Sequence, residues 1–286
     1  MLSLHSTFIY NIQIIYMANN LNWEILKSFS NDEQECFTYS DVINKFPEID
    51  SLYVSKVLSS MVRKGMLIKL KHNLYNIVPT NADAETYLPD WHIVAKNLMK
   101  GKKYYIGYYS AMQVHGLITQ PSLIEIIVTN IQIKPSTTII RGVKFQFVNH
   151  TSERFFGYKN TWVSKFDKVL VSDLEKTIVD SVTRPHLCGG MVEVGKAIYE
   201  TRERVNLNTL VDYFNKNNSK AAIKRYLFLS NLLGLTWTEK HQSLLDDIGK
   251  SYSLLDTSAP DYGKQDSKFG LKINIDTETI KNSIYT

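Results

Sequence analysis

Residues 51–79 read SLYVSKVLSSMVRKGMLIKLKHNLYNIVP, and two hydrophobic periods meet within that stretch. Val54, Val57, Leu58 and Met61 recur at i, i+3, i+4 and i+7, the apolar stripe of a helix opened by Ser51. Gly65 falls where a helix commonly ends on a left-handed residue, which glycine adopts without Cβ strain. From Met66 the period drops to two. Met66, Ile68 and Leu70 alternate with Leu67, Lys69 and Lys71, the dipeptide His72-Asn73 turns, and Leu74 to Val78 returns. Asn tolerates the left-handed turn position, so a β-hairpin is expected here.

Upstream, Leu21, Ile25, Leu26 and Phe29, with Trp23 nearby, mark a first short helix. Ser40 is the expected N-cap of a second, which Pro47 stops. Three short helices followed by a hairpin is the order of a winged helix-turn-helix, whose third helix enters the major groove. In that reading Lys56, Ser59 and Arg63 face outward to meet base edges, flanked by Ser55, Ser60 and Lys64. Lys69, Lys71 and His72 position the hairpin on phosphate, with Asn73 in its turn. The alternative is a small helical domain that docks on protein.

Charge favours DNA. Residues 1–50 hold two Lys against seven Asp or Glu, whereas residues 51–80 hold five basic residues and no acidic one. Clustered cations are what phosphate binding requires. Residues 100–170 are again basic, with ten Lys or Arg against three Asp or Glu, and residues 171–286 balance at fifteen of each. The basic stretch 100–170 is either a second cationic surface that extends DNA contact or a set of solvated Lys-rich faces.

At 286 residues the chain fits about two domains. Apolar residues make up 44% and charged residues 21%, the balance of a globular protein that buries a core without metal or disulfide staples. Cys36 and Cys188 stand far apart in no metal-spaced cluster and are expected as reduced, structural thiols of a cytosolic protein. Residues 1–16 carry no Lys or Arg, lack a signal-peptide n-region, and are expected as an over-extended start or a disordered arm. No stretch reaches a membrane span. The expected organisation is therefore residues 17–80 as the winged helix-turn-helix, 81–250 as a second domain and 251–286 as a loosely structured tail with a short strand at LKINI (residues 271–275), in a cytoplasmic, nucleoid-associated protein.

In the second domain Trp91, Val94, Ala95 and Leu98 make a helical stripe. Residues 104–120, YYIGYYSAMQVHGLITQ, divide at Gly107 into an extended piece and a helix with Tyr108, Ala111, Met112 and His115 on one face, closed by Gly116. Tyr108 reads as core-facing; Tyr105 and Tyr109 are candidates for surface contact. LIEIIVTN, GVKFQFVNH and TWVSKFDKVLVSD (residues 123–130, 142–150 and 161–173) read as strands of a small, mostly antiparallel sheet. Ser172 to Glu175 fits an S-x-x-E capping box opening a helix through Leu174, Ile178 and Val182. Capping and dipole complementarity then account for Asp173 and Glu175, and Asp180 reads as a surface or locally hydrogen-bonded residue. Amphipathic helices follow near 191–204, 207–216 and 220–234. The fold class is α+β, a winged helix-turn-helix followed by a mixed domain of sheet and helical bundle.

Catalytic signatures are missing. The chain has no Walker A loop, HExxH, zinc-finger spacing, dinucleotide glycine fingerprint or G-x-S-x-G elbow. Its seven histidines are scattered, and His186-Leu187-Cys188 lacks two further ligands. No catalytic residue, metal or cofactor is expected, and the protein reads as a non-enzyme.

Three segments combine into a resemblance: KGMLIKLKHNLYNIVP, YYIGYYSAMQVHGLITQ and VSDLEKTIVDSVTRPHLCGGMVEVGKAI. Together they resemble the AbiEi antitoxin family, transcriptional regulators of bacterial abortive-infection loci, over most of residues 20–235. The signature positions are Tyr105, Ser110, His115 and Gly116 in the second segment. In the third they are Asp173, Glu175, Lys176, Asp180, Arg184, Pro185, Gly189 and Gly190. The resemblance implies an autorepressor that binds inverted repeats upstream of its own operon. It also implies an antitoxin that counters a nucleotidyltransferase-like toxin without obligatory contact, a type IV arrangement. The chain lacks the D-x-D-like carboxylate pair of such a toxin. A winged-helix regulator with a ligand- or protein-sensing second domain and no toxin partner is the alternative.

Overall fold

The computed structural model describes residues 20–118, 120 and 122–285, so the arm expected at residues 1–16 lies outside the described residues. The chain is α+β, and its described residues divide into two compact units, one ending at Lys100 and the other beginning at Gly101.

In the first unit α1 covers residues 20–31. There follow β1 (Cys36–Thr38), α2 (Tyr39–Lys45), α3 (Ser51–Arg63), β2 (Leu67–Lys71), β3 (Leu74–Ile77) and α4 (Trp91–Leu98). The strands form one sheet in the order β1-β3-β2, antiparallel throughout. Ile25, Phe29, Phe37, Val42, Val54, Leu58 and Met61 are fully buried between helices and sheet, and the Phe29 and Phe37 rings stack at 4.1 Å. Two caps differ from expectation. Thr38, not Ser40, caps α2, because Asp41 stands three residues on and returns the bond: Asp41 N–H donates to Thr38 Oγ1 at 3.2 Å and Thr38 N–H to Asp41 Oδ2 at 2.8 Å. Ser40 would have Ile43 at that place. Asp50 caps α3 by accepting from Tyr53 N–H at 2.9 Å, which leaves Ser51 inside the first turn. Helix α4, where the composition changes, packs against β1 in this first unit.

The second unit opens with β4 (Tyr104–Ile106), α5 (Tyr108–Val114), β5 (Ile124–Thr129), β6 (Thr137–Ile140), β7 (Val143–Asn149), β8 (Tyr158–Trp162) and β9 (Lys168–Ser172). These strands make a six-stranded sheet in the order β6-β7-β5-β4-β9-β8. The pairings β4–β9 and β5–β7 are parallel and the other three antiparallel. Tyr105, Val128 and Val148 stand opposite one another across β4, β5 and β7 and join one core with the helices. The helices are α6 (Leu174–Thr183), α7 (Met191–Thr201), α8 (Leu207–Asn217), α9 (Lys220–Leu232) and α10 (Glu239–Asp246).

Residues beyond Ser251, expected as a loosely structured tail, fold as part of this unit. Strands β10 (Ser253–Leu254), β11 (Lys264–Asp266) and β12 (Leu271–Ile273) pair as β10-β12-β11, and α11 (Thr277–Asn282) follows. Leu255, Phe269, Leu271 and Ile280 are buried in the same core. Gly195 of α7 admits α11: a Cβ there would stand 2.7 Å from Ile280 Cγ2. No helix among the described residues is long and apolar enough to cross a membrane.

Candidate nucleic-acid interface and a buried polar hub

Helix α3 is 13 residues long, roughly 20 Å. Its apolar stripe turns into the unit, leaving Ser55, Lys56, Ser59, Arg63 and Lys64 exposed. Leu52, Lys56, Ser59 and Arg63 follow one another at steps of four, three and four, so they line one outward stripe. Leu52 is 73% exposed within it, an apolar contribution that the charge pattern alone does not single out. Ser59 Oγ donates to the Ser55 carbonyl at 2.8 Å, which fixes that hydroxyl against the helix.

The β2–β3 hairpin places Lys69 opposite Tyr75 and Lys71 opposite Leu74, with a bulge between them. Lys69, Lys71, His72 and Asn73 are all exposed. Asn73 takes the left-handed turn conformation at φ +60°, and its carbonyl accepts from Tyr39 N–H at 2.9 Å, tying the turn to α2. Lys56, Arg63, Lys69 and Lys71 enter no ion pair among the described residues, whereas Lys45 pairs with Asp32 and Lys100 with Asp41. A groove of about 440 Å³ beside the turn is lined by Lys71, His72, Asn73, Ser40, Asn44 and Lys100.

The signature residues of the second unit gather instead around a buried polar hub. Lys176 and Asp180, one turn apart on α6, form an ion pair with side chains 0% and 1% exposed. Asp180 is thus an interior residue; its reading as a locally hydrogen-bonded side chain stands, and its surface reading is corrected. Tyr105 is also fully buried, so it offers no surface contact; its hydroxyl donates to Asp180 Oδ2 at 3.2 Å. His150 joins both tyrosines, with Nδ1 3.1 Å from the Tyr105 hydroxyl and Nε2 2.7 Å from that of Tyr108. His150 Nδ1 also lies 3.3 Å from the Arg154 carbonyl, an acceptor only. These partners assign the neutral tautomer with its proton on Nδ1, Nε2 accepting from Tyr108. Burial drives the His150 pKa down to about 4 and pushes Tyr105 and Tyr108 well above the usual phenol value. Tyr108, core-facing as expected, holds φ +55° at the start of α5, a conformation bulky side chains rarely adopt. Its buried ring and the short bond to His150 keep it there.

The remaining signature positions build the scaffold around the hub. Asp173, not Ser172, caps α6, accepting from Lys176 N–H and from the Tyr213 hydroxyl, both at 2.8 Å. Glu175 closes no capping box; it accepts from Asn206 N–H at 2.8 Å, at the start of α8. Ser110 Oγ accepts from Ile126 N–H at 2.8 Å and bridges α5 to β5. His115 Nε2 donates to the Ser172 carbonyl at 2.8 Å, and Gly116 leaves the helix at φ +69°. Arg184 ends α6, Pro185 begins a 3₁₀ turn, and Gly189 and Gly190, both at positive φ, lead into α7. Asp256, beyond the segment carrying the resemblance, accepts from Met191 N–H at 3.0 Å. Sequence reasoning also misses His150, whose only signal is its place directly after an alternating strand.

Cys36 and Cys188 are buried and not joined in a disulfide, and desolvation raises the Cys188 thiol to about 12, far from nucleophilic. Among the described residues no group of His, Cys, Asp and Glu is arranged to hold a metal ion.

No protein-family model matches the chain, and no curated protein matches it. Among solved structures it is similar to the crystal structure of the RV2827C protein from Mycobacterium tuberculosis. The TM-score is 0.67 at 12% identity, covering 92% of this chain and 94% of that one. At that identity the likeness concerns the fold alone.

Proposed function

We propose that the first unit is a winged helix-turn-helix that binds DNA. We further propose that the protein is an autorepressor and antitoxin of the AbiEi type, opposing a nucleotidyltransferase-like toxin without obligatory contact. The DNA reading is carried by one observation. The outward stripe of α3 and the hairpin present Lys56, Arg63, Lys69 and Lys71 without an ion pair among the described residues, in a stretch, residues 51–80, with no acidic residue. Unpaired exposed cations release counterions when they meet phosphate, and this gives salt-dependent affinity. In this reading Lys56, Ser59 and Arg63 reach base edges, with Leu52 available to a thymine methyl, while Lys69 and Lys71 sit on the backbone.

The test is fluorescence anisotropy of the full-length protein on duplex DNA from upstream of its own operon. Lys56→Ala and Arg63→Ala should each weaken operator binding by about 1–3 kcal/mol and relax specificity. Lys69→Ala/Lys71→Ala should weaken all sequences alike and flatten the salt slope by about 0.9 for each phosphate no longer neutralised. Unchanged operator affinity in Lys56→Ala/Arg63→Ala would refute the assignment of α3. The antitoxin role is tested by growth rescue on co-expression with a neighbouring nucleotidyltransferase-like gene product.

A cavity of about 420 Å³ in the second unit favours a second reading, a regulator that senses a small ligand. Ile198, Leu210, Tyr226 and His241 form apolar and neutral polar walls, and Arg202 and Glu203 border it. Its size falls in the range of ligand sites. Operator binding without toxin rescue, together with a ligand-dependent shift in operator affinity, would favour this reading over the antitoxin.

A further inference from the structure

Strand β8 forms one edge of the six-stranded sheet, and its hairpin with β9 closes through Trp162-Val163-Ser164-Lys165-Phe166-Asp167-Lys168. The tip is internally bonded: Val163 N–H donates to the Asp167 carbonyl at 3.0 Å and Asp167 N–H to Ser164 Oγ at 2.9 Å. On this framework stand two large aromatic side chains in water, Trp162 at 58% and Phe166 at 51% exposure. Each carries a lysine. Lys168, opposite Trp162 in register, holds Nζ 4.2 Å from that ring's centroid, and Lys165 Nζ lies 5.2 Å from the Phe166 ring. Lys159 is exposed on the same strand. Residues 158–172 hold three basic residues and one acidic residue.

Edge strands are commonly guarded by lysine against pairing with another chain, which accounts for Lys159. That guard gives no reason to leave a Trp and a Phe in solvent. Aromatic faces beside cations match the two halves of an unpaired nucleotide, a base that stacks and a phosphate that needs a positive partner. A duplex hides its base faces and a single strand offers them. An anionic membrane also attracts Trp and Lys, but burying Trp162 in acyl chains would take the ammonium of Lys168 with it, which is costly. A stacked base leaves that ammonium beside phosphate.

We propose that the β8–β9 tip is a second nucleic-acid contact, one that takes single-stranded segments by stacking bases on Trp162 and Phe166 and holding phosphate with Lys165 and Lys168. It is independent of α3. The probe is a fluorescein-labelled single-stranded oligothymidylate, with full-length protein titrated across a salt series. Trp162→Ala/Phe166→Ala should lose about tenfold or more in affinity, while Trp162→Phe/Phe166→Tyr keeps most of it. Lys165→Ala/Lys168→Ala should flatten the salt slope by about 0.7 for each phosphate no longer neutralised. Circular dichroism and melting should match wild type for every variant, since the altered side chains are exposed, and the Lys56→Ala/Arg63→Ala protein should bind the oligonucleotide as wild type does. The proposal is overturned if the wild type does not bind the oligonucleotide, or if ring removal leaves binding and slope unchanged. It also fails if the rings matter only for binding phosphatidylglycerol vesicles, or if the loss follows the α3 variant instead of the tip variants.

Discussion

Replacing Asp180 by alanine tests the hub that organises the second unit. The substitution leaves the Lys176 ammonium buried with its ion-pair partner gone, and takes the acceptor from the Tyr105 hydroxyl. Breaking a buried pair from one side costs about 3–5 kcal/mol, and an orphaned buried hydroxyl adds about 1 kcal/mol. The Phe156 ring, 4.6 Å from Lys176 Nζ, offsets part of this through its quadrupole, about 1–2 kcal/mol. The expected loss is therefore about 4 kcal/mol, a large fraction of the roughly 5–15 kcal/mol that holds a domain folded. For a unit of this size it corresponds to a melting point lower by about 8–16 °C. The assay is urea unfolding followed by near-ultraviolet circular dichroism, with thermal melts in parallel. Lys176→Met/Asp180→Leu should recover most of the loss, because removing both charges also removes their desolvation cost. Two results would refute the reasoning. One is a loss below about 1 kcal/mol for Asp180→Ala; the other is a double variant no more stable than the single one.

Two further outcomes follow from the same neighbourhood. His150 stays neutral in the folded chain, its pKa near 4 against the usual 6.5. Between those values only the unfolded chain takes up the proton, so stability is full above about pH 6.5 and falls as pH drops towards 4, by about 3 kcal/mol. Burial depresses His115 and His241 in the same direction, so the readout is the difference between wild type and His150→Gln. Urea midpoints from pH 4.5 to 7.5 should slope less in the variant, and equal slopes would discount His150. Gly157→Ala should cost about 2–5 kcal/mol. It sits at φ +68°, and a Cβ would come 2.8 Å from Tyr213 Cε2 and 2.9 Å from Lys176 Cβ. Gly142→Ala is its control, at φ +83° with nothing within 4 Å, and should lose only about 1–2 kcal/mol of backbone strain. Equal melting points for the two variants would discount the packing argument.

The elements legible in sequence are those long enough to show a period. Helix α3 turns four apolar residues inward over 13 positions, and β5 and β7 span six and seven residues, so their patterns stand out. Strand β1 is three residues long and owes its conformation to pairing with β3, a contact no local pattern carries. The same holds for β10 and β11, with two and three residues, whereas β12 shows as the short alternating run LKINI, read as a strand and found as one. Asp180 shows its local bond in the sequence but not its burial, for a different reason. Helix α6 is buried from Lys176 to Val182 without a break, with α5, α7, α8 and α9 all packed against it, so it has no solvent face to betray its inward side. A Lys and an Asp four residues apart are the pattern of an exposed ion pair, and here the same spacing is used in the interior. The outward stripe of α3 is legible because helical spacing fixes both faces at once; Leu52 escapes because an exposed leucine breaks no pattern.

The interior position of the Asp173–Asp180 run bears on what its resemblance can carry. The charged side chains of this run, in the hub and in the scaffold around it, already have intramolecular partners: Asp173 with Tyr213, Glu175 with Asn206, Lys176 with Asp180. A carboxylate spent on a helix cap and a lysine locked in an ion pair have no capacity left for a substrate unless the hub opens, and opening it costs the energies estimated for Asp180→Ala. In the proposed kinship this run therefore speaks for a way of joining sheet to helices and not for a binding site. Recognition has to come from side chains whose partners lie outside the unit. Exposed cations that form no ion pair among the described residues meet that condition on the α3 stripe and the β2–β3 turn in one unit, and on the β8–β9 tip in the other, where the lysines lie against exposed rings. In the readings proposed above the three take base edges, backbone phosphate and unpaired base faces, and so differ in salt dependence. Phosphate binding weakens steeply as salt rises, while stacking and base-edge bonds persist. A salt series on duplex and single-stranded ligands thus separates the surfaces without disturbing the hub that holds the second unit together.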